Sequence, residues 1–151
     1  MEKSRLSLQI IGRLLFSLSS ELINPTLNRG LPPNLAADNP SLSFTMKGID
    51  ISMAAYMSEL AFLANPVTSH VQSAESNNQQ INSLALISAR YTLQTGDILS
   101  QMCAAHLYVV CQTLDLRVMY ITFLGELQKR IGPLTRPLVS DADLALHHEL
   151  D

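Results

Sequence analysis

The stretch "INSLALISARYTLQTGDILSQMCAAHLYVVCQTLDL", residues 81–116, decides the fold class. Its apolar residues recur at helical spacing over its whole length. Its only Asp, Glu, Lys or Arg side chains are Arg90, Asp97 and Asp115. A helix without a broad polar face is typical of the interior of a large assembly. The pattern therefore predicts one long, buried helix over residues 78–116.

Two more helices are predicted upstream of this stretch, at residues 5–23 and 48–63, where apolar residues again recur every three to four positions. Between them, residues 24–46 form an irregular loop, since this segment holds four prolines and two Asn-Pro pairs. After residue 117 the sequence is more charged and contains two prolines, which predicts a short helix and then a poorly ordered tail. The fold class is all-α: a long-helix bundle fragment, with residues 1–117 as the helical core and 118–151 as the tail.

The composition restricts the kinds of partner this chain can have. Charged residues make up 15% of the chain, against roughly 25% in a typical soluble domain, so much of its surface is expected to be covered by other protein. The net charge of −3 and the scattered basic residues argue against a nucleic acid partner. No run reaches the ~18 uninterrupted apolar residues of a membrane helix. We therefore expect a soluble, cytoplasmic protein without a membrane partner.

The cysteine and histidine spacings predict neither a disulfide nor a metal site. Cys103 and Cys111 are eight positions apart on the long helix, which separates them by roughly 12 Å, too far for a disulfide. We expect both to be free, buried thiols. Zinc-ligand spacings of the Cys-x-x-Cys type are absent from the sequence.

The segment "SHVQSAESNNQQIN", residues 69–82, is rich in amides and carries one acid. If the long helix begins here, four polar residues share one stripe of its first turns. These are Glu75, Asn78, Gln79 and Asn82. Two interpretations stay open. Ser76-x-x-Gln79 has the spacing of a capping box, so the amides could serve only the helix start. Alternatively, a lone carboxylate beside fixed amides forms a tunable acid or base.

Compact catalytic signatures such as Gly-x-Ser-x-Gly are absent, but longer blocks are distinctive. They are "GLPPNL", "NPSLSF", "KGIDI", "SELAFLANPVTSHVQSAE" and "NSLALISAR". With these blocks the chain closely resembles the aromatic amino acid lyase family, and the fungal phenylalanine ammonia-lyases most of all. The resemblance runs from about Ser4 to Arg117.

The resemblance implies an enzyme that removes ammonia from L-phenylalanine to give trans-cinnamate, in aromatic amino acid catabolism and phenylpropanoid metabolism. Such lyases use a methylidene-imidazolone prosthetic group made from an internal Ala-Ser-Gly, and no metal. They are cytosolic homotetramers of long helices, with each active site assembled from several chains.

The resemblance also assigns roles to individual residues. Glu75 matches the active-site glutamate near the substrate amine, and Gln79 matches a glutamine that hydrogen-bonds in the same pocket. Lys47 and Ile51 match positions beside the bound aromatic acid, and Asn78 matches a further substrate-binding position. Three alternatives stay open: Lys47 could face solvent, Ile51 could be ordinary core, and Asn78 could serve only the helix start.

Two observations set this chain apart from an intact lyase. Ser76 and Asn77 stand where the family commonly has a larger residue and a histidine, and no Ala-Ser-Gly occurs anywhere in the sequence. We therefore expect the chain alone to be inactive. One alternative is a non-catalytic helical interaction module that associates with full-length lyase subunits. Another is part of a related tyrosine or histidine lyase, or of an aminomutase.

Overall fold

The computed structural model describes residues 1–39, 41–79 and 83–135, except for the side chains of 134 and 135. It contains three α-helices: α1 (Glu2–Ile23), α2 (Lys47–Leu63) and α3 (Ala85–Thr135). Short 3-10 turns occur at Pro33–Leu35 and Thr68–His70. No β-strand occurs within these described ranges, and one isolated bridge pairs Ala74 with Gln79. The all-α class is confirmed, as are the first two helices and the irregular loop between them.

The chain divides into two compact units, Met1–Thr113 and Leu114–Asp151. The core of the first unit lies where α1, α2 and the early part of α3 meet. Its buried side chains are Met53, Leu60, Leu63, Ile98 and Met102. In addition, the Ser20 hydroxyl of α1 donates a hydrogen bond of 2.6 Å to Oδ1 of Asp50 on α2.

A glycine allows α1 to approach this core closely. A Cβ added at Gly12 would lie 2.4 Å from Cδ1 of Leu60, whose side chain is fully buried. The buried face of α1 is not formed by the apolar residues whose spacing predicted this helix. It carries Arg5, Gly12, Ser19 and Ile23. Several of the apolar residues whose spacing predicted the helix are exposed instead, and Ile10 and Leu14 are two of them.

The predicted start of the long helix is wrong, because α3 begins at Ala85 and not near residue 78. Glu75, Ser76 and Asn77 have φ angles of 50°, 52° and 68°, in the left-handed region that is incompatible with an α-helix. Ser76 therefore does not cap α3, and the predicted capping box does not form. Asn82 lies outside the described residues.

The other end of α3 runs further than residue 116, without interruption to Thr135. Residues after Arg117 thus continue α3. No proline stands between Pro66 and Pro133, and Pro133 lies only in the last turn, where it removes little of the hydrogen-bond ladder. The division into a core of 1–117 and a tail of 118–151 stays a prediction.

Burial of α3 is much narrower than predicted. Within the first unit its buried positions are Ser88, Thr95, Ile98, Met102 and Val109. Most other side chains are exposed, including the free thiols Cys103 and Cys111, so the prediction that the thiols are buried is wrong. Composition indicates that these apolar side chains are buried in the functional protein. It does not indicate whether they are buried by the same chain or by another one.

Two described helices are long and apolar enough to cross a membrane when only length and mean hydropathy are considered: α1 and residues 85–133 of α3. Core helices of soluble assemblies satisfy the same criterion, so this property by itself is weak evidence for a membrane location.

Candidate active site

The predicted active-site residues Glu75, Asn78 and Gln79 come together in one tight turn, residues 74–79. Its ends are paired by two backbone hydrogen bonds, from the Ala74 N–H to the Gln79 carbonyl at 3.3 Å and from the Gln79 N–H to the Ala74 carbonyl at 3.2 Å. Inside the turn, the Asn78 N–H donates to the Glu75 carbonyl at 2.9 Å. The turn therefore places the carboxylate and both amides on one short piece of backbone, by turn geometry and not by helix periodicity.

Every side chain of this turn is exposed. The Ser73 hydroxyl donates to the side-chain oxygen of Asn77, a contact within the segment itself. The Glu75 carboxylate therefore stands neither at a helix start nor in an apolar interior, the two settings that the sequence analysis considered for it. In this chain it is an accessible carboxylate in the same turn as Gln79.

Lys47 and Ile51 lie four positions apart on the first turns of α2, so they share one face of that helix. The Lys47 ammonium lies 5.0 Å from the centroid of the Phe44 ring, a cation–π distance, and the lysine side chain is exposed. Ile51 is 63% exposed, so the alternative that it belongs to this chain's core is wrong. An exposed isoleucine is instead available as a wall for another molecule or another part of a protein.

The candidate residues thus form two groups, the 74–79 turn and the face of α2. Among the residues that the structure describes, no hydrogen bond or ion pair joins one group to the other. Each group is formed by local backbone geometry alone.

Arg5 is the polar residue that the sequence analysis missed. Arg5 belongs to α1, and its side chain is fully buried and donates four hydrogen bonds. Nε reaches the Leu63 carbonyl at 2.6 Å, and the two terminal nitrogens reach the Asn65 carbonyl at 3.1 Å and both oxygens of Ser88 at 3.0 and 2.6 Å. The signal in the sequence is the seven-residue spacing of Arg5, Gly12 and Ser19, which places the arginine on the same face as two small residues.

A cavity of 430 Å³ lies between the residues that follow α2 and the first turns of α3, and two of its lining residues, Asn65 and Tyr91, contact Arg5. Its walls include Asn65, Val67 and His70 on one side and Ile87 and Tyr91 on the other. The Arg5 guanidinium carbon is 5.9 Å from the centroid of the Tyr91 ring. The residues that follow α2 and the residues that lead into α3 are the two limbs on either side of the 74–79 turn, and they line opposite walls of this cavity.

Within residues 1–39, 41–79 and 83–135, no cluster of three or more His, Cys, Asp or Glu side chains could bind a metal ion. The sequence lacks the Ala-Ser-Gly from which a methylidene-imidazolone would form. The residues present therefore do not fit that group.

Known proteins are similar to this chain over most of its length. The profile of the family "aromatic amino acid lyase" matches residues 1–141, well beyond Arg117. A phenylalanine ammonia-lyase of Aspergillus hancockii is 67% identical over 127 residues, which cover 84% of this chain and 18% of that protein. A phenylalanine aminomutase of Talaromyces islandicus, described as forming L-β-phenylalanine, is 55% identical over 132 residues, covering 87% of this chain and 19% of the aminomutase.

A solved structure shows the same similarity. The crystal structure of phenylalanine ammonia-lyase from Rhodosporidium toruloides superposes with a TM-score of 0.86 at 53% sequence identity, covering 89% of this chain and 20% of that one. The chain thus spans about a fifth of the length of the proteins with which we compare it.

Proposed function

Because the chain belongs to the aromatic amino acid lyase family, we propose that it forms part of an ammonia-lyase acting on L-phenylalanine to give trans-cinnamate. The observation that carries this proposal is the 67% identity with a fungal phenylalanine ammonia-lyase. The 74–79 turn adds chemical support, since it presents a carboxylate and two amides together.

The proposed roles follow from the chemistry of each side chain. The exposed carboxylate of Glu75 pairs with the substrate ammonium, or takes one proton from it to give the neutral amine before the C–N bond breaks. The Gln79 amide orients the same group by hydrogen bonding, and Asn78 assists from the adjoining position. Lys47 and Ile51 line the side of the site next to the aromatic acid, where the bulk of Ile51 selects for a phenyl ring.

The methylidene-imidazolone group of such a lyase supplies the electrophile for the elimination when it is present. This chain has no Ala-Ser-Gly, so we expect the purified chain alone to form no cinnamate. Its contribution is the amine-handling wall of a site that other segments complete.

A chimera tests this proposal. This chain would replace the matching segment of the full-length Aspergillus hancockii enzyme, and purified chimera would be assayed for trans-cinnamate and for β-phenylalanine. We expect cinnamate as the main product. A matched control carries the corresponding segment of the Cochliobolus lunatus phenylalanine ammonia-lyase, which is 55% identical to this chain over 138 residues. An active control beside an inactive, folded chimera would contradict the proposal, and β-phenylalanine as the main product would reassign it to an aminomutase.

We propose further that the complete lyase is a cytoplasmic homotetramer. The exposure of large apolar side chains on α1 and α3, such as Ile10, Leu93 and Leu107, supports burial of these faces against other lyase segments or subunits.

The same exposed faces favour a second candidate, a non-catalytic module that binds full-length lyase subunits. Size-exclusion chromatography of the chain mixed with the Aspergillus hancockii enzyme tests it. Co-elution supports the module, whereas separate elution of a soluble monomer argues against it.

A further inference from the structure

One guanidinium holds both ends of the segment that carries the 74–79 turn. We call residues 63–67 together with Ser88 the base of this segment, and residues 74–79 its tip. At the base, Arg5 donates to the Leu63 and Asn65 carbonyls on one limb and to the Ser88 carbonyl and hydroxyl on the other. We infer that Arg5 is a positioning residue for the tip and hence for Glu75 and Gln79. This inference rests on the proposed function, because it assigns Arg5 to the same site.

The geometry of the guanidinium suits this role. Its planar group carries five N–H donors in a fixed arrangement, so bonds to two limbs fix the distance between them. All four acceptors are uncharged oxygens. Lysine offers a single ammonium on a flexible stem and cannot reproduce this arrangement.

Electrostatics explains why a buried cation is stable here. The Leu63 carbonyl is among the free carbonyls at the C-terminal end of α2, where the helix carries partial negative charge. The last turn of α2 has no basic residue of its own. Arg5 supplies the missing cation from α1, and four hydrogen bonds offset much of its desolvation.

A second residue of the same α1 turn holds the first limb. The Glu2 carboxylate accepts a hydrogen bond of 2.8 Å from the Val67 N–H. Glu2 and Arg5 are three positions apart and lie on one face of α1. The first turn of α1 therefore holds residues 63–67 with one acidic and one basic side chain.

The tip, in contrast, is exposed and closed by its own backbone hydrogen bonds. The 430 Å³ cavity is lined by residues of both limbs near the base, and the hydrogen bonds of Arg5 connect the two limbs directly there. The direction in which the tip presents Glu75 thus depends on the bonds that Arg5 makes.

Amide hydrogen exchange of the full 151-residue chain tests this inference without relying on activity. We would compare Arg5→Met, Arg5→Lys and Ser88→Ala with Arg13→Lys, a change at an exposed arginine of the same helix. For Arg5→Met we expect exchange at the hydrogen-bonded amides of Val67, Ala74 and Gln79 to rise about tenfold. Exchange at residues 53–60 of α2 should change by less than about twofold, and Arg13→Lys should change neither region.

Ser88→Ala and Arg5→Lys give smaller increases in the same region, because each retains part of the contact. If Arg5→Met does not fold, these two variants test whether Arg5 positions the tip. Equal increases in residues 53–60 and in the tip would show a general loss of stability and overturn the inference. Unchanged exchange in the tip of every folded variant would overturn it as well.

A kinetic measurement in the chimera then connects the base to the site. We expect Arg5→Lys to lower kcat about tenfold and to change KM less than about twofold, with the melting temperature of the Arg13→Lys control. An unchanged kcat would contradict a positioning role. If the chimera makes no cinnamate at all, the proposed function is wrong. The hydrogen-exchange result then still tests, independently of activity, whether Arg5 positions the tip.

Discussion

The base and the tip of the segment between α2 and α3 are held by different kinds of contact. At the base, Arg5 of α1 donates hydrogen bonds and Glu2 of α1 accepts one, although both residues are far away in the sequence, and the base lies beside the buried core. Among the residues that the structure describes, the hydrogen bonds of the tip run only within residues 73–79, and its side chains are exposed. The difference teaches that this chain specifies where the segment leaves the core, whereas under the proposed function the surroundings of Glu75 come from other segments of a lyase.

The largest effect is expected from removing core packing next to the base. Leu60→Ala should lower the free energy of unfolding by about 2–5 kcal/mol, because Leu60 is fully buried among the core residues. Leu86→Ala, at a position that is 82% exposed, is the matched control and should change it by less than about 0.5 kcal/mol. Urea unfolding followed by circular dichroism measures both. Similar losses for the two variants would mean that the core beside the base is not where this chain gains its stability.

A smaller effect is expected where α1 approaches the same core. Gly12→Ala should lower the free energy of unfolding by about 1 kcal/mol, since overpacking against Leu60 outweighs the better helix propensity of alanine. Gly96→Ala on α3 meets nothing within 4 Å and should raise it by about 0.5–1 kcal/mol. Thermal and urea unfolding measure whether the two substitutions change the free energy of unfolding in opposite directions. If Gly12→Ala also stabilises the chain, the close approach of α1 to Leu60 is not a constraint.

The smallest effect is expected at the tip. Ser76→Gly should raise the free energy of unfolding by about 0.5 kcal/mol, because glycine adopts the φ of 52° without steric cost. Ser69→Gly, in the 3-10 turn Thr68–His70, is the control and should lower it slightly. Urea titrations of the two variants side by side give the comparison. A loss of stability in Ser76→Gly would contradict the left-handed turn.

The sequence predicted what depends on local periodicity and prolines. The helices near residues 5–23 and 48–63 and the loop between them follow from apolar spacing and Asn-Pro pairs. The start of α3 could not be found in this way. The polar residues 75–79 also satisfy a helical stripe, and only the left-handed backbone of Glu75, Ser76 and Asn77 excludes it.

The candidate site divides in the same manner. The resemblance identified Glu75, Gln79 and Asn78, and the structure places them in one turn. It could not identify Arg5, since the importance of this residue comes from carbonyls and a hydroxyl that follow it by 58 to 83 positions. Composition also could not show that α3 is mostly exposed in this chain. An apolar helix has the same sequence pattern whether its own chain or another chain buries it.

The most direct test of the central claim is the kcat of the active chimera with Glu75→Gln. Loss of a general acid or base costs about 10²- to 10⁴-fold, so we predict a fall of kcat in that range, with the fold and assembly of the parent chimera retained. Glu59→Gln, which changes another exposed carboxylate about one turn before the end of α2, should leave kcat within about twofold. A parental kcat for Glu75→Gln would contradict the claim that the tip carries the amine-handling carboxylate of a lyase.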